Sequence, residues 1–201
     1  ILRPPHKSFS NSFPKELDKI FNIFFAGNAY AERELRVFID ALEKFSEATD
    51  LRVCFYIASH QSFSTNSTNL EINNLGWISQ IKLNEYTDKC HMAYLPYRSE
   101  LRFKHQMKYA FPGKAGFYIS NNLPVFFHGP SYSSFNVFLK NHPVGISCDS
   151  LQSDDVLSKL NKFVKSASFY LNCQRECQKA FNEVFSKENF EQSVRKFLDV
   201  N

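Results

Sequence analysis

The chain has 201 residues, enough for one large domain or a small pair, and 43% hydrophobic with 16% aromatic residues supply ample material for a core. Its 24 basic and 20 acidic residues leave a net charge of +4 with no run of five or six like charges, which argues against nucleic acid as a partner. No apolar run approaches the roughly 18 residues that span a bilayer and no signal-like segment opens the chain; the expectation is a cytoplasmic protein, at a membrane surface only through parts outside this sequence.

Five cysteines (Cys54, Cys90, Cys148, Cys173, Cys177) without a CxxC pair indicate neither a disulfide framework nor a zinc knuckle. Cys173 and Cys177 share a helix face, but a tetrahedral zinc site needs further ligands. No metal and no cofactor is expected.

Residues 1–18, containing Pro and Ser, read as a linker or domain-entry segment, and the chain is expected to be part of a longer polypeptide. Residues 19–201 read as one domain. Ile20 to Ala26 is an apolar run closed by Gly27-Asn28, the pattern of a strand buried on both faces. Tyr30 to Ala48 places Leu35, Phe38, Ile39, Leu42 and Phe45 at helical spacing. Leu51 to Ala58 is a second apolar run, completing a βαβ unit and a parallel pair.

His60 to Asn69, polar and aperiodic, reads as a mobile loop; Leu70 to Ile78 as a weak strand; Gln80 to Cys90 as a short helix; and His91 to Pro96 as a strand. Tyr97 to Ala110 carries the basic cluster Arg98, Arg102, Lys104 and Lys108. Residues 111 to 128 then combine the Pro112-Gly113-Lys114 turn, a helix over 114 to 120, a turn at Asn121-Asn122 and a strand from Leu123. A lysine beside a helix N-terminus with free N–H groups suits phosphate. A helix near Ser133 to Asn141, a strand Val144 to Cys148 and three closing helices follow. Ser153-Asp154-Asp155 reads as the cap and acidic first turn of the first of these, and Ser186 to Val200 forms the last.

Strands alternating with helices predict an α/β fold: a Rossmann-like, doubly wound parallel sheet with helices on both faces, binding ligand at the carboxyl ends of its strands. Four segments in order carry a family resemblance: Phe24-Phe25-Ala26-Gly27-Asn28, Leu75-Gly76-Trp77-Ile78, Tyr94-Leu95-Pro96-Tyr97, and Pro112-x-Lys114 with Tyr118 and Pro124-Val125. Together they resemble the C-terminal, nucleotide-sugar-binding domain of a retaining GT-B glycosyltransferase, across residues 20 to about 165.

The resemblance implies transfer of a hexose from a nucleoside-diphosphate sugar, without a metal ion, by a protein whose acceptor-binding domain lies upstream. It places Gly27, Asn28 and Lys114 near the diphosphate and Gly76, Trp77 and Ile78 near the nucleoside; Arg98 and Lys104 of the basic cluster follow the Tyr94-Leu95-Pro96 strand end, where the fold holds ligand, and are further diphosphate candidates, with Glu100 a nucleoside candidate. Positive groups and backbone N–H groups would stabilise the leaving diphosphate. Two positions depart from the pattern. Asn122 stands where a glycine is usual, a mild change because Asn tolerates positive φ. Phe117 stands where a glutamate binds the ribose, and a phenyl ring accepts no hydrogen bond from a hydroxyl. Another residue such as Glu100 takes that role, or the donor differs, or binding is weakened.

The alternatives are an inactive Rossmann-like interaction module and half of a nucleotide-sugar epimerase. Trp77 reads as a core residue or a base-stacking one. His105 and His128 are the histidines nearest the cleft, either ordinary packing residues or proton-transfer groups.

Overall fold

Ile20–Ala26 forms β1, the central strand of a six-stranded sheet in a computed structural model that describes residues 19–198. The linker expected over 1–18 and the last three residues lie outside the described residues. After β1 come α1 (Glu32–Glu47), β2 (Arg52–Ala58), β3 (Leu70–Asn74), α2 (Gln80–Lys89) and β4 (Met92–Pro96). A 3₁₀ turn over Leu101–Phe103 leads into α3 (Lys104–Tyr109), then α4 (Gly113–Ser120), β5 (Val125–His128), α5 (Ser134–Asn141) and β6 (Gly145–Cys148). The chain closes with α6 (Ser153–Lys165), α7 (Ala167–Ala180), a π-helical turn at Phe181–Phe185 and α8 (Lys187–Leu198).

All strand pairs are parallel, in the order β3-β2-β1-β4-β5-β6. The doubly wound sheet read from the sequence is therefore present, and its order reverses between β1 and β4. At such a switch point the two flanking loops diverge and leave a crevice for ligand.

Because strand side chains alternate between faces, each central strand feeds two cores. Phe21, Ile23 and Phe25 of β1 join Met92 and Tyr94 of β4 and Phe126 of β5 under α1 and α6. Phe24, Ala93, Leu95, Val125 and Phe127 point the other way, toward α4, α5 and α7. The apolar stripe read on α1 enters the first core, where the Phe38 ring stacks on Tyr94 with centroids 3.8 Å apart. Many of the phenylalanines thus face both layers of an aromatic-rich interior, consistent with strands that read as continuous apolar runs.

Several local expectations shift. The strand foreseen over 70–78 ends at Asn74: the Leu75 N–H donates the last ladder bond to the Ile57 carbonyl, and Gly76 then turns the chain away with φ +65°. The cap of α6 is Gln152, with no side-chain cap bond; Ser153 is the first helical residue, and Asp154 and Asp155 form its acidic first turn. The segment from His60 to Asn69, read as mobile, is tied down by polar side chains. Glu43 of α1 accepts from the Thr65 hydroxyl at 2.6 Å and the Asn66 N–H, and Asn74 bonds both the N–H and the carbonyl of Phe63. Among the described residues no helix is long and apolar enough to cross a membrane.

Candidate functional site

The site starts at the carboxyl end of β1. Gly27 turns with φ +102°, in the region L side chains rarely enter, and a Cβ there would land on the Lys114 side chain, 2.5 Å from its ammonium nitrogen. Glycine is therefore what lets a lysine from α4 lie across the end of β1. Tyr118, one turn further along α4, fixes this approach: its hydroxyl accepts the Ala26 N–H at 3.0 Å, and the residue is fully buried. Asn122 ends the same helix with φ +52°, doing what a glycine does there.

Lys114 is a cation in apolar company. Its ammonium lies 5.0 Å from the Phe25 ring centroid and 5.9 Å from that of Tyr30, and no carboxylate pairs with it among the described residues. Burial lowers its pKa from 10.5 to about 8. The residue also belongs to the first turn of α4, whose leading N–H groups have no intrahelical partner apart from that of Ala115, which donates to the Pro112 carbonyl. A partly buried ammonium beside free helix N–H groups is an arrangement for an anion.

Next to Lys114 lies a cavity of about 290 Å³ lined by Ala26, Gly27, Ala58, Trp77, Ile78, Leu83, Gly113, Lys114 and Phe117. The structure thus brings Gly27, Trp77, Ile78 and Lys114 of the expected site residues together, with Phe117 as a wall. Trp77 is 75% exposed, which removes the core reading of this residue, and it stacks on His60 with centroids 5.2 Å apart. The left-handed turn at Gly76 presents it at the rim.

Other expected residues sit elsewhere. The Gly27 N–H donates to the Ala58 carbonyl and the Ala29 N–H to the Gln61 side chain, so Gly27 serves through its missing side chain rather than its amide, and Asn28 is exposed. Arg98 follows β4 across the switch point; its Nε donates to the Tyr30 carbonyl at 2.6 Å and its guanidinium lies over the Phe103 ring at 4.2 Å. Lys104 is exposed, 5.6 Å from the Tyr132 ring, and Glu100 lies 3.8 Å from Arg102. Neither Glu100 nor the basic cluster lines the cavity. His128 is buried, with Nδ1 2.9 Å from the Tyr94 hydroxyl and Nε2 2.7 Å from the Ser150 carbonyl, and burial lowers its pKa. His105 is exposed.

Two residues escaped the sequence reading. Glu34, only 1% exposed, accepts the Ser99 N–H at 2.8 Å and so ties the loop after β4 to α1. Its first-turn position gave no hint, because acidic residues there are usually solvated. Leu83 lines the cavity from α2, a helix too weakly patterned to show which face it buries. A larger polar groove, about 700 Å³, lies at the amino ends of β2 and β3. Its Arg52 and Glu71 neutralise one another at 2.5 Å, and parallel sheets hold ligands at the opposite end.

No protein family and no curated protein matches this sequence. Its structure does match solved ones. WaaG, a glycosyltransferase involved in lipopolysaccharide biosynthesis, superposes with a TM-score of 0.68 at 11% identity over 95% of this chain and 54% of WaaG. The C-terminal domain of the group 1 glycosyltransferase LpcC from Francisella tularensis gives 0.62 at 8% identity, over 92% of this chain and 97% of that domain. Anabaena HepE, solved in complex with UDP and glucose, gives 0.62 at 10% identity, over 90% of this chain and 48% of HepE. The chain spans about half the length of WaaG and HepE and nearly the whole of the LpcC domain. Its fold is that of the C-terminal domain of a GT-B glycosyltransferase.

Proposed function

We propose that this chain is the donor-binding half of a glycosyltransferase that moves a hexose from a nucleoside-diphosphate sugar to an acceptor held by a domain upstream. The observation that carries the reading is Lys114: a partly buried ammonium with no carboxylate partner among the described residues, laid across Gly27 at the first turn of α4. A diphosphate bound there meets a fixed positive charge and unpaired N–H groups, which stabilise the charge that develops on it as the sugar leaves. Trp77 and Ile78 offer the nucleoside a surface beside it. That HepE was solved with UDP and glucose supports a ligand of this class.

In this reading no metal is required, because Lys114 and the helix N-terminus take over neutralisation of the diphosphate. Arg98, on the loop across the switch point, faces the same Tyr30 ring as Lys114, 5.5 Å and 5.9 Å from its centroid, and would add a second positive charge beside the diphosphate, whereas Lys104, beside Tyr132, would have to move to reach it. Transfer in this reading needs an acceptor-binding half as well, so the 201 residues on their own are expected to bind donor weakly.

Calorimetric titration of the chain with UDP-, GDP- and ADP-sugars tests this. Heat with at least one of them is the expected result, and none with any would overturn the reading. A second reading, a Rossmann-like interaction module without donor chemistry, draws support from Phe117, which turns the cavity beside Lys114 apolar. It is the reading that silent titrations would favour.

A further inference from the structure

The cavity beside Lys114 is poorly suited to a polyol. It is walled by Ala26, Gly27, Ala58, Ile78, Leu83, Gly113 and Phe117, with Trp77 at the rim, and its exposed lining is almost wholly apolar. The lining has two polar side chains, the Lys114 ammonium and the Trp77 indole, and both are donors with no acceptor site. Phe117 follows Lys114 by three residues on α4, the spacing that puts two side chains on one helix face. A group hanging from an anion held at Lys114 therefore enters the cavity against the Phe117 ring.

A hydroxyl placed against that lining finds no side-chain acceptor, so nothing there favours its presence. An aromatic base, by contrast, gains ring contact from Phe117 and Trp77. The hexose, with several hydroxyls, fits the cavity less well than the nucleoside does, which leaves the hexose to the open side of Lys114.

Resting on the donor-site reading, we propose that the cavity holds the nucleoside without recognising its 2′-hydroxyl, so that the chain binds 2′-deoxyribonucleoside diphosphates at least as tightly as ribonucleoside diphosphates. The contrast with a hydroxyl-reading site is large, since a site built to bond a substrate hydroxyl rejects the analogue lacking it by up to about 10⁴–10⁵-fold.

The test is calorimetric titration of the 201-residue chain with UDP, dUDP and farnesyl diphosphate. Expected is dUDP affinity between equal to and about tenfold above that of UDP, the range left when no hydroxyl bond is made. UDP tighter by more than about threefold overturns the inference and leaves the donor site standing. If neither nucleotide binds, the donor reading falls and the inference with it, and binding of farnesyl diphosphate alone then assigns the cavity to a lipid-linked diphosphate. Phe117→Gln supplies an acceptor, and its UDP to dUDP preference should move toward UDP by at least about threefold. An unchanged ratio in a folded variant overturns the placement of the nucleoside against this ring.

Discussion

At the scale of single residues, Lys114 carries both the promise and the cost of the site. An ammonium surrounded by Phe25, Tyr30 and the Gly27 turn is desolvated without a carboxylate in compensation, which is why its pKa falls to about 8 from 10.5. In the unliganded chain the charged form is the disfavoured one, so this residue's contribution to stability rises with pH between about 8 and 10.5. Ligand binding follows the opposite sign. A diphosphate needs the ammonium, so affinity should be highest below pH 8 and fall as pH rises through that value, and UDP titrations at pH 7 and pH 9.5 measure the drop. Affinity that is flat over this window would show that Lys114 does not face the phosphates. The lysine itself was legible in the sequence, since Pro-Gly-Lys before a short helix is a recognisable anion-binding pattern. The apolar setting that lowers its pKa was not, because Phe25 and Tyr30 reach it from a different element.

At the scale of elements, the pairing of β1 with α4 builds the site. Ninety-two residues separate Ala26 from Tyr118, yet the buried phenol accepts the Ala26 N–H where the strand runs out of sheet partners. Removing the hydroxyl leaves that amide without an acceptor, at a cost of about 1–3 kcal/mol. Tyr118→Phe should therefore lower unfolding free energy by that amount in a urea titration, and weaken UDP binding because α4 is less firmly seated. Stability equal to that of the parent would mean that the bond contributes nothing. The elements themselves were largely readable. Apolar runs bounded by Gly, Asn and Pro gave β1, β2, β4 and β5 within about two residues, because strands buried on both faces leave an uninterrupted signal. The expectations failed where a single turn or a tertiary hydrogen bond decides. The strand over 70–78 stops early because the left-handed turn at Gly76 carries the chain off the sheet just after the last ladder bond, from the Leu75 N–H to the Ile57 carbonyl, and the polar stretch from His60 is held by Glu43 and Asn74. Trp77 was ambiguous for a related reason: composition favours burial of a lone tryptophan, while the positive φ at Gly76 swings it outward.

At the scale of the whole molecule, the β3-β2-β1-β4-β5-β6 order puts the loops after β1 and β4 on either side of one crevice, where Lys114 of α4 lies across Gly27. The parallel sheet and its switch point follow from strands that alternate with helices. What the sequence could not show is how the expected site divides. Gly27, Trp77, Ile78, Lys114 and Phe117 gather round one cavity, while Arg98, Glu100 and Lys104 stand on the far loop, Arg98 bonded to the Tyr30 carbonyl and Glu100 beside Arg102. Which side chains converge depends on loop geometry after β4, and no periodicity encodes that. Lys114 at the start of α4 is the residue proposed to hold the diphosphate, and side-by-side calorimetry of UDP with the parent chain and Lys114→Ala at pH 7 measures its part. Expected are measurable binding to the parent and a loss of about tenfold or more in the variant, the scale of one charge-assisted hydrogen bond. Equal affinity in the two folded proteins, or none in the parent, would contradict that role.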